Sequence, residues 1–123
     1  MLTLALPWPP SVNAAYRTFR GRMLLSKDGR EYKKRCVLAI KTQIGPDHKP
    51  ITGKVRIVVV AIEPDRRRRD LGNLDKLALD CITEAGVWAD DCQVRRHDWR
   101  FADEHGPVKP GALMFEIYAI DNG

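Results

Sequence analysis

A β-strand at the centre of the fold is predicted by Lys54–Glu63, which reads KVRIVVVAIE. Toward its middle this stretch is apolar on both faces, a pattern typical of a strand in the interior of a sheet. Leu2–Leu6, Gln93–Phe101 and Ala112–Ile120 predict three further strands. We therefore expect a sheet that is built around Lys54–Glu63.

Between the first strand and the central strand, the sequence predicts a polar, basic loop or hairpin over Ser11–Leu25 and then a helix. Ser26 or Asp28 stands where this helix would be capped, and apolar side chains recur every four residues until about Ile44. Gly45 and the proline after it end the helix.

A second helix is predicted over Leu71–Ala85, ended by Gly86. The order of elements is then β, loop, α, β, α, β, β. This order predicts an α+β fold with a mixed sheet and both helices packed on one face. A chain of 123 residues suits a single domain, so we expect one domain over residues 1–123.

The charge balance points to an anionic partner. The chain has 21 Lys and Arg against 16 Asp and Glu, a net charge of +5, and a pI near 9.3. Such a balance favours nucleic acid among the candidate partners. Apolar residues make up 44% of the chain, which is ordinary for a folded protein and argues against disorder.

Membrane and secreted classes are not favoured. No stretch approaches the 18 consecutive apolar residues of a membrane span, and Met1–Leu6 is too short for a signal peptide. Cys36, Cys81 and Cys92 are odd in number and lack the spacing of a zinc site. We expect reduced thiols, no membrane partner and a cytoplasmic location.

Acidic residues lie within the most basic part of the chain. Arg66–Arg69 is followed directly by Asp70, then by Asp75, and later by Asp90 and Asp91. Arginines attract a polyanion, whereas clustered carboxylates repel it unless a divalent cation lies between them. This combination predicts a metal-dependent nuclease, because a protein that only binds nucleic acid gains nothing from these acids.

Each acid also has a structural alternative. Asp70 stands where a helix should begin, so an N-cap explains it equally well, and Asp90 with Asp91 is typical of a turn. Asp75 is harder to explain structurally, since on a wheel of about 100° per residue it falls inside the apolar arc of the second helix. A buried Asp–Arg pair is its alternative. Lys76 and Asp80 have the spacing of a solvated surface pair.

The basic residues divide between DNA contacts and internal pairing. Four consecutive arginines cannot all face one way, so some should contact phosphates while others pair with Asp65 or the acidic cluster. His97 is expected on the surface, and the tryptophans as core or interface anchors. The candidate DNA-binding residues are Arg17, Arg20, Arg22, Lys33, Lys34, Arg66, Arg67, Arg68 and Arg69.

Three motifs together resemble the RusA family of Holliday junction resolvases. They are LPWPPSVN near the start, PDRRRRDLGNLDK in the middle and AGVWADDCQV after it, in the family's order and spacing over nearly the whole chain. The resemblance implies an α+β fold and a small bacterial or phage homodimer associated with the nucleoid. It also implies binding of four-way DNA junctions and magnesium-dependent paired nicks in recombination and repair, with manganese as an alternative metal.

The resemblance also implies roles for individual residues. Asp70 and Asp91 correspond to metal ligands, Lys76 corresponds to the catalytic lysine, and Asn73 and Asp90 lie at the edge of the site. The metal would keep positions for a phosphate oxygen and a water.

One position departs from the family pattern, because Gly72 stands where the motif has its second aspartate. Asp75, one helical turn further on, is favoured as the replacement ligand. Asp80 is expected to act behind the ligands by holding Lys76 or a water. If no acid replaces the missing one, the alternative is a non-catalytic junction-binding protein. A nuclease of forks and flaps is a third hypothesis.

Overall fold

The fold, described here from a computed structural model over residues 1–120, is an α+β arrangement with a mixed sheet, as predicted. The last three residues of the predicted domain, 121–123, lie outside the described residues. The strands are β1 (Leu2–Pro7), β2 (Tyr16–Phe19), β3 (Arg22–Leu25), β4 (Val55–Ile62), β5 (Val94–Phe101) and β6 (Ala112–Ala119). The helices are α1 (Val12–Ala15), α2 (Lys27–Ile44) and α3 (Asp75–Glu84), and 3-10 turns cover Leu71–Asn73, Asp91–Gln93 and Asp103–His105.

Strand β4 lies inside the main sheet, as its sequence predicts. The strand order is β1-β6-β4-β5, with β4 antiparallel to β6 and parallel to β5. Its residues alternate between buried and half-buried, and Val55, Ile57, Val59 and Ala61 point into the core. The other face of β4 carries Arg56, Val58, Val60 and Ile62, which are only half-buried, so the sheet has one closed face and one open face.

Helix α2 matches its predicted range closely. Of the two candidate caps, Ser26 is the one used: its hydroxyl accepts a hydrogen bond of 3.1 Å from the backbone N–H of Gly29. The helix ends at Gly45, whose φ of 80° suits glycine. Tyr32 lies on the buried side and donates its hydroxyl to the carbonyl of Pro7, at 2.7 Å. This bond ties α2 to the end of β1.

Helix α3 begins later than predicted, at Asp75 instead of Leu71. Leu71–Asn73 forms a 3-10 turn that the backbone N–H of Leu74 closes on the carbonyl of Leu71, at 3.1 Å. Glycine and asparagine at positions 72 and 73 have low helix propensity, which explains the late start. The wheel therefore does not apply to Leu71, whereas Asp75 lies half-buried in the first turn of the helix, at the edge of its buried face.

The segment Ser11–Leu25, predicted as a loop or hairpin, contains α1 followed by the hairpin of β2 and β3. Its turn is made by Arg20 and Gly21, whose φ values are 51° and 74°. Two successive positive φ values are typical of the type I′ turns that suit the twist of a hairpin.

The buried apolar residues, Ala102 apart, form one cluster between the sheet and the helices α2 and α3. Trp88 is fully buried in it, and Trp8 and Trp99 pack against it, whereas His97 is exposed, as predicted. Cys36, Cys81 and Cys92 are free thiols. Over residues 1–120, no helix has the length and apolar character needed to cross a membrane.

Candidate active site

Lys76 projects from the first turn of α3 toward the hairpin. Its Nζ lies 4.8 Å from the centre of the Tyr16 ring and 4.0 Å from Sδ of Met23. An ammonium over an aromatic face is attracted by the electron-rich ring. Tyr16 and Met23 were not predicted as neighbours of Lys76, because both lie far from Lys76 along the chain.

Tyr16 has an unusual hydroxyl. Its oxygen is buried and has no hydrogen-bond partner within the described structure. Burial raises the pKa of Tyr16 above its ordinary value, and the negative charges of Asp80 and Asp75 add to this effect. The phenol is therefore protonated and lies within electrostatic reach of both aspartates.

Asp90 and Asp91 are adjacent in sequence but differ in their hydrogen bonds and in the direction of their pKa shifts. Asp90 accepts a 2.9 Å hydrogen bond from the backbone N–H of Cys92 and forms a capping box with Gln93. These bonds, from Cys92 above all, lower the pKa of Asp90. Burial, a hydrogen bond with Asp90 and the charges of Asp90 and Asp80 raise the pKa of Asp91. Asp90 therefore shapes the turn, whereas Asp91 lies beside other carboxylates, which disfavour its charged form.

Asp70 is exposed and precedes the 3-10 turn of Leu71–Asn73. Its side chain makes no capping hydrogen bond there, so the N-cap explanation is wrong. The cleft beside it is lined by Trp8, Arg68 and Asn73, among others. The structure therefore leaves the Asp70 carboxylate to a role other than capping.

Gly72 has room for a side chain. Its φ lies outside the left-handed region, and a Cβ built on it would meet no atom within 4 Å. The backbone at this position therefore accepts an aspartate without strain. The fold therefore does not impose glycine at the position where the resemblance places a second aspartate.

The carboxylates suit magnesium as donors but do not form a complete cage. Across residues 1–120, no three or more His, Cys, Asp or Glu side chains are placed to hold one ion. Asp91 is grouped with Asp90 and Asp80, whereas Asp75 lies with Asp80 near Tyr16. Magnesium is often held by one or two carboxylates, with waters and substrate phosphates completing its shell. The residues therefore fit a site that DNA completes, and Asp70, Asp75 and Asp91 as joint ligands stay a prediction.

The internal pairing predicted for part of the arginine run is present, and the predicted phosphate contacts of the others stay a prediction. The guanidinium of Arg69 lies 2.7 Å from Asp65 and 3.2 Å from Glu63, and it stacks on Trp8 at 5.3 Å. Arg67 also pairs with Asp65, at 3.8 Å. The side chain of Arg69 is only 17% exposed, which leaves the other three arginines of the run as the more accessible ones.

The remaining predicted DNA-binding residues lie on the hairpin and on α2. Arg17, Arg20 and Arg22 are exposed, and Arg20 stacks on the ring of Phe19 at 5.3 Å. Lys34 is exposed, whereas Lys33 is half-buried and pairs with Glu84 at 3.5 Å. The Lys33 ammonium is thus engaged in an ion pair that links α2 to α3.

Comparison with known proteins identifies the family. Residues 7–108 match the family described as Endodeoxyribonuclease RusA. The chain is 45% identical over 95 residues to the crossover junction endodeoxyribonuclease RusA of Shigella sonnei and to that of Escherichia coli K12, and each alignment covers 75% of both chains. It is 44% identical over 94 residues to the RusA protein of Enterobacteria phage 82, with 74% of both chains covered. The resemblance seen in the three motifs is confirmed, and the chain belongs to the RusA family of endodeoxyribonucleases.

Proposed function

We propose that the protein is a magnesium-dependent endonuclease that resolves four-way DNA junctions by paired nicks. Its family membership supports the endonuclease activity and the junction as substrate. The observation that carries the proposal is the environment of Lys76. Within residues 1–120 it has no ion pair, so its positive charge is available to an incoming phosphate.

The proposed roles of the acidic residues follow from their exposure and partners. Asp70, Asp91 and Asp75 would hold magnesium, which when bound supplies a nucleophilic water and neutralises charge on the phosphate. Asp90 keeps the turn that presents Asp91. The charge of Asp80 acts on Asp91 and on Tyr16, the residue beside Lys76. Manganese has the same preference for oxygen ligands and serves as an alternative.

Lys76 donates hydrogen bonds from its ammonium to a phosphate oxygen. Charge-assisted bonds of this kind are stronger than neutral ones, and they gain most where negative charge develops during the reaction. An ammonium that is already paired with a carboxylate would lose part of this effect. Asn73, at the edge of the adjacent cleft, can orient the same phosphate group through its amide.

The exposed basic side chains hold the DNA arms. Phosphate contacts release counterions, so we expect affinity to fall steeply as salt rises. Arg69 contributes less than its neighbours, since its guanidinium is already paired with Glu63 and Asp65. The side chains proposed to contact DNA most directly are Arg17, Arg20, Arg22, Lys34, Arg66, Arg67 and Arg68.

We propose a homodimer, because two opposing strands must be cut and one chain carries one candidate site. The open face of the main sheet supports this proposal. It presents Val58, Val60 and Ile62 of β4, which are half-buried, and Met114 of β6, which is 40% exposed. Charged partners flank them in the sheet, with Asp98 and Glu116 beside Val58 and Arg100 beside Val60, so an interface on this face would combine apolar and ionic contacts.

The DNA-associated location follows from the same proposal. The relatives are proteins of enteric bacteria and a phage. We place the protein at the bacterial nucleoid in the cytoplasm, where recombination and repair create four-way junctions.

Gly72 favours a second candidate function, a junction-binding protein that does not cut. A synthetic four-way junction incubated with magnesium or with EDTA separates the two. We expect magnesium-dependent paired nicks, no cutting by Asp70→Asn, and normal binding by that variant. Tight binding without any cutting would support the non-catalytic function.

A fork, a flap and a linear duplex in the same gel test the nuclease of forks and flaps. Cutting of these substrates in preference to the junction would support that function. Asp65→Asn is the matched control for Asp70→Asn, since Asp65 is engaged with Arg67 and Arg69 inside the protein.

A further inference from the structure

Lys76 reaches across to a second element of the fold, the hairpin of β2 and β3. Its aliphatic stem leaves α3, and its Nζ ends at the ring of Tyr16 and the sulfur of Met23. Neither group carries a charge at neutral pH, so the contacts fix the ammonium in place without neutralising it. A carboxylate at the same distance would fix it too, but would compete with phosphate.

The register of the hairpin explains why these two side chains meet Lys76. Tyr16 pairs with Leu25, and Thr18 pairs with Met23. Directly paired residues, and residues two apart, share a face of a two-stranded ribbon. Tyr16 and Met23 therefore lie on the face turned toward α3. Arg17 and Leu24, a pair in the same ladder, lie on the opposite face.

The base of the hairpin is fixed to the start of α2. The backbone N–H of Ser26 donates to the carbonyl of Ala15 at 2.8 Å, and the hydroxyl of Ser26 donates to the carbonyl of Ala14. A Cβ on Gly29 would lie 2.3 Å from the carbonyl oxygen of Ala15, so the two segments approach as closely as glycine allows. The hairpin is therefore anchored, and Tyr16 at its first position is held against α3.

From this arrangement we infer that the hairpin is the positioning device for Lys76, with Tyr16 and Met23 as its positioning residues. The ring and the thioether hold the ammonium at the mouth of the site, and its N–H donors remain available for a phosphate oxygen. The inference rests on the proposed function, because it assigns Lys76 to the phosphate. It also accounts for the long exposed side chain of Met23, which is 61% exposed although it contacts a functional group.

The test measures single-turnover cleavage and junction affinity separately. Tyr16→Leu should slow cleavage about tenfold, which corresponds to about 1.4 kcal/mol of transition-state stabilisation, with affinity unchanged within about twofold. Met23→Ala should slow cleavage by roughly threefold, since a thioether contact is weaker. Leu24→Ala is the matched control from the opposite face of the same hairpin and should cut at the wild-type rate.

Two further variants distinguish a positioning role from a merely structural one. Tyr16→Phe keeps the ring and removes the unpartnered hydroxyl, so it should cut nearly as fast as wild type. In a Lys76→Ala background, Tyr16→Leu should have no further effect on the residual rate, because both changes remove the same interaction. Thermal unfolding checks each variant, and Met23→Ala decides the outcome if Tyr16→Leu does not fold.

Clear results would overturn the inference. It is wrong if Tyr16→Leu and Met23→Ala cut normally, or if Tyr16→Phe is as slow as Tyr16→Leu, since then the hydroxyl and not the ring matters. It is also wrong if Tyr16→Leu slows the Lys76→Ala protein by the same factor as wild type. A wild-type protein that does not cut junctions at all would instead overturn the proposed function.

Discussion

The segments before and after α3 each contain two aspartates, and they use them in a similar way. Before the helix, Asp65 is held by Arg67 and Arg69, while Asp70 makes no capping bond. After the helix, Asp90 accepts the backbone N–H of Cys92, while Asp91 is exposed. In each segment one acid shapes the backbone and the other remains at the surface.

The two segments differ in how their charge is balanced. The first has arginines beside its acids, and these guanidinium groups lower the pKa of Asp65, after the backbone hydrogen bond from Arg67. The second brings carboxylates together, and the pKa of Asp91 is raised by partial desolvation and by Asp90 and Asp80. Negative charge is therefore concentrated around Asp91, which is where an added cation would gain most.

The largest expected effect is the contrast between the two acids of the second segment. We expect Asp91→Asn to lower junction cleavage by about 100-fold or more, as loss of a metal-binding group does, and to leave junction binding intact. Asp90→Ala should mainly lower the free energy of unfolding, since it removes a cap. Cleavage assays with chemical denaturation measure both. Equal loss of cleavage in the two variants would contradict the division of roles.

The next effect concerns Asp75 and the aspartate that is missing at position 72. If Asp75 replaces the family's second aspartate, Asp75→Asn should reduce cleavage by roughly tenfold or more. Gly72→Asp in the same protein should restore most of it, because the backbone at this position accepts a side chain. The measurement is the magnesium-dependent cleavage rate of the single and double variants. Normal cutting by Asp75→Asn would show that Asp75 is not the replacement ligand.

The smallest expected effect is a shift of the pH profile. A raised pKa means that Asp91 takes up its proton at a higher pH than an ordinary aspartate, so cleavage that needs the ionised form falls earlier on acidification. Asp80→Asn removes one of the negative charges that raise this pKa. The fall in single-turnover rate should therefore move to lower pH. An unchanged or upward-shifted profile would show that Asp80 does not act on Asp91.

The strands and the long helix α2 were well predicted because the periodic spacing of apolar residues is a local property of the sequence. The central strand β4 and helix α2 match their predicted ranges within a residue or two. The start of α3 was wrong, because a wheel assumes α-helical geometry from the first apolar residue. Gly72 and Asn73 interrupt that geometry, so the error concerns Leu71, which lies in a 3-10 turn before the helix.

The sequence by itself determined the fold class, the acidic residues within the basic surface and the family, since these depend on composition, alternation and motif order. Only the tertiary structure decided which aspartate of each segment is held by hydrogen bonds, because that depends on where nearby backbone N–H groups point. It alone brought the hairpin to Lys76, joining Lys76 to Met23 across 53 residues of chain. Contacts at such separation come from packing of the whole domain, which no local pattern encodes.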